Sequence, residues 1–334
     1  VIGYYVHHVG TGHLNRARAV ATHLPVTGLS SLPRPDDWTG DWVLLDRDDR
    51  GEVPTDPTAG GSLHWAPLGD AGLRSRMAVI SSWISRARPA ALVSDVSAEV
   101  ALLARLHGVP VVSIVMPGDR SDRAHRSGYA ASTALVAAWP PEASDMVRGL
   151  TPVDRGRLHQ VGGMSRIPLG MRSVAPPASS DGRRSALLVS GRGGGHPTRE
   201  QVERIVADSP GWSWRVLGGS GEWSDDPGSA MRDADVVVLQ AGQSSIADVA
   251  SARRPAVVVL ARRPFDEQVA TGAVLEGAAW PCRVLSHLPT SGWTALLDET
   301  ASLDAGLWHL WSDGRAVDRF VAVIEAVALT GSTS

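Results

Sequence analysis

The chain has 334 residues, enough for two domains that each bury a core, and too long for a single small binding module. Charged residues are 20% of the total and the formal net charge is -3, so no global field marks a nucleic-acid binder or a strongly basic membrane binder. All 32 basic residues are arginine, which excludes a Walker lysine, a Schiff-base lysine and a pyridoxal-phosphate anchor; the single cysteine, Cys282, excludes a disulfide framework and a Cys-rich zinc site.

Short apolar runs alternate with helix-length segments along the chain, the signature of parallel strands covered on both faces. In the first half the runs are Val1–Val6, Trp42–Leu45, Ala91–Ser94 and Val111–Val115. Ala98–His107 reads as a helix closed by Gly108 and Pro110, completing one βαβ unit. Leu158–Val161 is one more strand, after which residues 163–184 turn rich in Gly, Pro, Ser and Arg and read as a linker. The alternation restarts with Ala186–Ser190, Trp214–Leu217, Val236–Leu239 and Ala256–Leu260. Arg315–Leu329 spaces Val317, Phe320, Val321, Ile324 and Val327 as an amphipathic helix. The expected plan is therefore a Rossmann-like domain over 1–162, the linker, a second such domain over 185–312, and a C-terminal helical stretch 313–334, for which packing back on the first domain is one arrangement. The chain has no run of eighteen apolar residues and no charged-then-apolar leader, so a soluble, cytoplasmic protein is expected.

Three turns are candidates for chemistry. The first strand runs into His7-His8-Val9-Gly10-Thr11-Gly12-His13 and then a helix, where Gly10 and Gly12 let backbone amides approach a ligand and His13 stands near the carboxyl end of the strand. A neutral imidazole there can take a proton from an attacking hydroxyl, or it can be a packed N-cap residue. Ser190-Gly191-Arg192-Gly193-Gly194-Gly195 can wrap a diphosphate or be a plain flexible loop. Gly242-Gln243-Ser244-Ser245 opens a helix over Ser245–Ser251, with hydroxyls and amides suited to phosphate or simply to capping. After Ala256–Leu260 comes Pro264-Phe265-Asp266-Glu267-Gln268, whose acceptors and donors suit a polyhydroxylated sugar.

The stretch Asp235–Val249, with Arg254-Pro255-Ala256-Val257 and Glu267-Gln268, resembles the donor half of GT-B glycosyltransferases. The likeness is to the N-acetylglucosaminyltransferase that makes lipid II in peptidoglycan synthesis and to bacterial relatives of the glucuronosyltransferases. Gly10-Thr11-Gly12-His13 is similar to the glycine turn and histidine of the same family, so the resemblance spans nearly the whole chain. It implies an α/β fold of two Rossmann-like, doubly wound parallel-sheet domains facing across a cleft. It also implies inverting, metal-independent transfer from a nucleotide sugar, UDP-sugar favoured, with no resident cofactor. By the same resemblance Gly242, Gln243, Ser244 and Ser245 hold the diphosphate, aided by Gly191, Arg192 and Gly193. Asp248 meets the ribose, Trp223 and Ser224 the base, Glu267 and Gln268 the sugar, and His13 is the base or orients the acceptor. Asp248 stands where the peptidoglycan enzyme has Glu, and Glu267 where it has Gln, which leaves the sugar and base open.

Asp95 and Asp119 are the candidates to orient His13. Asp46-Arg47-Asp48 and Asp233-Ala234-Asp235 invite a metal-dependent reading, but the second pair precedes its strand, where a polar turn belongs. The acceptor, a small or lipid-linked molecule with peripheral membrane contact open, is not defined; Arg120, Arg123, His125 and Arg126 are either an anion site or a charged surface. Gly10–Arg16 also resembles the turn of UDP-sugar hydrolases of pseudaminic acid synthesis. Hydrolase, epimerase and a non-catalytic nucleotide-sugar sensor or partner subunit therefore stand as alternatives.

Overall fold

The computed structural model describes residues 1–49, 53–170, 182–191, 194–224, 226–277 and 280–331. The described chain divides into two units, one of Val1–Ala138, Val147–Val161 and the residues from Val317 on, the other of Trp139–Met146 and Gly162–Ala316.

The first unit opens with β1 (Ile2–Tyr5), α1 (Thr11–Ala21), β2 (Val26–Ser30), β3 (Trp42–Leu44), α2 (Ala71–Ala87), β4 (Ala91–Ser94), α3 (Ala98–Leu106) and β5 (Val111–Val115). It continues with β6 (Gly118–Asp119), α4 (Arg123–Ala131), β7 (Ala134–Ala137), β8 (Val147–Arg148), α5 (Pro152–Gly156) and β9 (Leu158–Gln160). Seven strands form a parallel sheet in the order β3-β2-β1-β4-β5-β7-β9, while β6 and β8 pair separately. Every residue of β1, β2, β4, β5 and β7 is buried, which is why these segments are mostly apolar or small instead of alternating with charged residues. Gly3 in β1 is glycine for a packing reason: a Cβ there would lie 2.6 Å from the Trp83 ring of α2. Asp70 and Ser97 cap α2 and α3 by accepting from Leu73 N and Val100 N.

The second unit runs β10 (Arg184–Val189), α6 (Arg199–Asp208), β11 (Trp212–Leu217), α7 (Pro227–Asp233), β12 (Val236–Gln240), α8 (Gln243–Ala252), β13 (Ala256–Val259), α9 (Glu267–Glu276), β14 (Cys282–Leu285) and α10 (Trp293–Ala301). Its sheet is parallel in the order β11-β10-β12-β13-β14. Trp280, Trp308 and Trp311 pack edge and face with centroids 5.0 to 6.3 Å apart and close one side of its core. The last helix, α11 (Ala316–Gly331), packs in the first unit, where Phe320 meets Tyr4 edge-on at 6.4 Å and Arg319 donates to Val161 O at 2.7 Å.

Two segments differ from the sequence expectation. Trp139–Met146 groups with the second unit. Of the linker 163–184, residues 171–181 lie outside the described residues, and the stretch before them packs on the second unit: Gly163 N donates to Trp311 O at 2.7 Å and Gly170 N to Ser251 O at 2.8 Å. Both sheets reverse strand order beside their first strand, between β1 and β4 and between β10 and β12. At such switch points adjacent loops turn to opposite faces and leave a crevice at the strands' carboxyl ends.

Candidate active site

The crevice of the first unit holds His13, in the first turn of α1, and Asp95, the residue after β4. Gly10, the N-cap of α1, has φ 93°, a backbone state that favours glycine, and offers no side-chain cap. His13 Nδ1 lies 2.8 Å from Asp95 Oδ1. Arg16, one turn on, donates from Nε to Asp95 Oδ2 at 3.1 Å and from Nη2 to Oδ1 at 3.2 Å, and the Tyr4 hydroxyl reaches Oδ2 at 3.4 Å. Asp95 is fully buried. Burial by itself lifts its pKa, but the Arg16 guanidinium and His13 outweigh that and hold the carboxyl well below the usual carboxylate range. An ionised Asp95 accepts a hydrogen bond from Nδ1–H of His13, which keeps that proton on Nδ1 and leaves the lone pair on Nε2. Asp119 has a different role: it accepts from Ser121 N at 2.9 Å.

His7 and His8 stand beside this pair. Their rings stack 5.0 Å apart, and His7 lies 5.5 Å from the His13 ring. Burial first, then the neighbouring His13 and His8, push the His7 pKa down to about 4, so it is neutral at pH 7. The sequence reading passed over both, although a His-His pair directly after a buried strand was a visible signal.

In the second unit α8 begins at Gly242 with no side-chain cap, presenting the amides of its first turn with the half-buried Ser244 and Ser245. The glycine turn is tied to this edge: Gln240 Nε2 donates to Gly195 O at 2.6 Å, and Arg263 Nη2 to Gly194 O at 3.0 Å and Gln240 Oε1 at 3.1 Å. Gly191 is in the described part of that turn, whereas Arg192 and Gly193 lie outside the described residues. Trp223 is 60% exposed, and Ser224 Oγ accepts from Asp226 N. Gln243 and Glu267 are both half-buried, each opening its helix.

Two expected ligand contacts are internal struts instead. Asp248 is 3% exposed, with Oδ1 accepting from Ser165 Oγ at 2.7 Å and Oδ2 from Arg166 Nε at 3.2 Å. Burial raises its pKa, opposed by Ser165 and Arg166. Asp248 thereby ties the segment carrying Ser165 and Arg166 to α8. Gln268 is 4% exposed and accepts from Ala261 N at 2.7 Å, bracing the turn before α9.

The acidic strings are also structural. Asp235 accepts from Ser185 N and Oγ, Asp46 from Ser75 Oγ, and Asp48 pairs with Arg76. Ligand atoms of His8, Asp48 and Asp49, and of His64, Asp122 and His125, do converge within 4.8 Å. Arg76 and Arg47 already sit on the carboxylates of the first group, and Arg120 donates to His125 Nε2 at 3.1 Å in the second. Arg120 is 3% exposed and also donates to Met116 O and Pro117 O, so it holds its own loop rather than offering an anion site.

No protein-family model and no curated protein matches the chain. Solved structures do. The glycotransferase of kitacinnamycin superposes with a TM-score of 0.64 at 16% identity, over 98% of this chain and 97% of that one. MurG of Acinetobacter baumannii gives 0.59 at 17% identity, over 97% and 99%. A Listeria monocytogenes protein assigned as a UDP-N-acetylglucosamine 2-epimerase gives 0.63 at 13% identity, over 97% and 95%. The chain has the GT-B fold, with two Rossmann-like units. Among the described residues no helix is long and apolar enough to cross a membrane.

Proposed function

From this GT-B fold, we propose that the protein is a glycosyltransferase moving a sugar from a UDP-sugar to a hydroxyl or amine acceptor with inversion. The observation that carries this reading is the His13–Asp95 pair at the switch point of the first unit, a base whose tautomer is set by a buried carboxylate. In the proposed reaction His13 Nε2 takes the acceptor proton as the acceptor oxygen or nitrogen bonds to the anomeric carbon. The bond from that carbon to the diphosphate breaks, and the leaving anion is met by the first-turn amides and serine hydroxyls of α8. The acceptor belongs to the first unit and the donor to the second. Asp248 and Gln268 drop out as direct donor contacts, which leaves Ser244, Ser245, Glu267 and Trp223 to carry them. A neighbour named for UDP-N-acetylglucosamine makes the UDP-sugars the donors to try first.

The same neighbour favours a second reading, turnover of the nucleotide sugar without an acceptor. Incubation with UDP-sugars, followed by chromatography for UDP, free sugar and isomerised donor, separates them. UDP released only with acceptor supports transfer; free sugar or epimerised donor without acceptor replaces it with the second reading. Binding with no turnover in any arm leaves a sensor. Activity lost to a chelator and restored by magnesium or manganese overturns the metal-independent form of the proposal.

A further inference from the structure

Beside His13 the first unit contains a cavity of about 270 Å³ whose lining includes His7, His8, Trp65, Met77 and Glu99. Its walls are part apolar, from Trp65, Leu73, Met77 and Val96, and the Trp65 indole nitrogen is already spent on Asp48 O at 2.9 Å. The His8 side chain is 6% exposed, and its Nδ1 is buried without a hydrogen-bond partner among the described residues. The other ring nitrogen, Nε2, faces Asp49 Oδ2 at 3.3 Å. A carboxylate accepts only, so in neutral His8 the proton sits on Nε2 and Nδ1 is a lone pair awaiting a donor. A polar atom buried in that way is costly unless something fills the position. His7 supplies the complementary group: Val9 N–H donates to its Nδ1 at 3.1 Å, which leaves the proton of the neutral ring on Nε2.

Charge narrows the occupant further. Three carboxylates line the cavity, Asp48, Asp49 and Glu99, against one guanidinium, Arg76. Arg76 is 1% exposed and taken up by Asp48 and the Tyr5 hydroxyl, and Asp49 is paired with Arg47. Glu99 accepts from His64 N, Trp65 N and Ser97 Oγ, all uncharged, so its charge faces the cavity without a cation among the described residues. An anionic ligand entering here would meet net negative charge and no available arginine among the described residues.

We infer that this cavity receives an uncharged, hydroxyl-bearing apolar acceptor and rejects anionic ones, with His8 Nδ1 accepting a hydrogen bond from an anchoring hydroxyl of the ligand distinct from the group that reacts at His13. The inference names the acceptor class of the proposed transferase and rests on that reading. It points away from phosphorylated lipid acceptors. The ligand is anchored by His8 and its apolar body lies against Trp65 and Met77, one imidazole away from His13.

The test uses 2-naphthol and 2-naphthyl phosphate, one ring system without and with an anion, titrated calorimetrically into the full chain. UDP is titrated into the same samples. The expected result is binding of 2-naphthol, with 2-naphthyl phosphate weaker by about tenfold or more. H8Q, which loses the δ-position atom, weakens 2-naphthol by about 5- to 100-fold, and H8N, which keeps a polar atom there, restores most of it. E99Q narrows the discrimination between the two probes, and it reads the charge argument even if H8Q does not fold. Equal or tighter binding of the phosphate, no binding of 2-naphthol, or a folded H8Q with wild-type affinity overturns the inference. UDP binding with failed probe selectivity refutes the cavity assignment alone; probe selectivity without UDP binding refutes the transferase reading alone.

Discussion

Replacing Asp95 by asparagine separates what this carboxylate does for the fold from what it does for His13. The side chain is fully buried and receives two hydrogen bonds from Arg16, one from Tyr4 and the short contact with His13. Asparagine keeps the shape but removes the charge, leaving the Arg16 guanidinium, 6% exposed, without its counter-ion. Breaking a buried pair in this way costs about 3–5 kcal/mol. For a domain of this size that lowers Tm by roughly 6–20 °C, at about 2–4 °C per kcal/mol. Turnover falls by about 10²–10⁴-fold if His13 is the base, because the amide no longer fixes the Nδ1 proton. The pH dependence carries a sign of its own. The native Asp95 carboxyl titrates well below its unfolded value near 3.9, so its stabilisation is complete above about pH 4 and is lost as pH falls toward the native value. A folded D95N sample therefore shows a smaller loss of stability on acidification than the parent. The measurements are a calorimetric Tm series from pH 2 to 8 and UDP release with a confirmed acceptor. Near-normal Tm together with near-normal turnover refutes both the buried-pair energetics and the dyad.

Three further outcomes are expected. His13→Ala lowers turnover by about 10²–10⁴-fold with UDP affinity nearly unchanged, since the donor sits on the other unit; a folded variant with near-normal turnover ends the base assignment. Ser245→Asp puts a carboxylate in the uncapped first turn of α8 and should weaken UDP by tenfold or more in calorimetry while stabilising the helix end slightly, and an unchanged UDP affinity moves the diphosphate elsewhere. His7 is neutral in the fold, with its pKa pushed down to about 4 against an unfolded value near 6.5, so the chain loses stability as pH falls from about 6.5 to 4, by up to ~3 kcal/mol from this group. His125, also pushed down to about 4 by burial, acts in the same window, and a His7→Gln, His125→Gln double variant should flatten the profile measured by urea titration.

The alternation of apolar runs and helices was enough to read two doubly wound α/β halves, because strands buried on both faces are mostly apolar. Of the strands in the two large sheets it missed β2, β7 and β14, since Val26-Thr27-Gly28-Leu29-Ser30 is diluted by Thr, Gly and Ser, Ala134–Ala137 is short and half alanine, and Cys282–Leu285 is short and interrupted by Arg283. The glycine turns and His13 were legible too, because a strand-to-helix turn is a local feature with local glycine requirements. Pairing was not legible. Asp95 and Asp119 were equal candidates by sequence, and only the placement of β4 beside β1 brings Asp95, 82 residues away, within 2.8 Å of the His13 ring. Burial was not legible either: Asp248 and Gln268 lie in motif positions that fit a ligand, yet tertiary packing turns one onto Ser165 and Arg166 and the other onto Ala261 N. Sequence spacing fixes the direction a side chain takes from its own helix or strand. Which polar partner reaches it first depends on the packed path of the chain, through a segment 82 to 83 residues away for Asp248 and the turn before its own helix for Gln268, so the fold decides whether a carboxylate or amide meets a ligand or the protein itself.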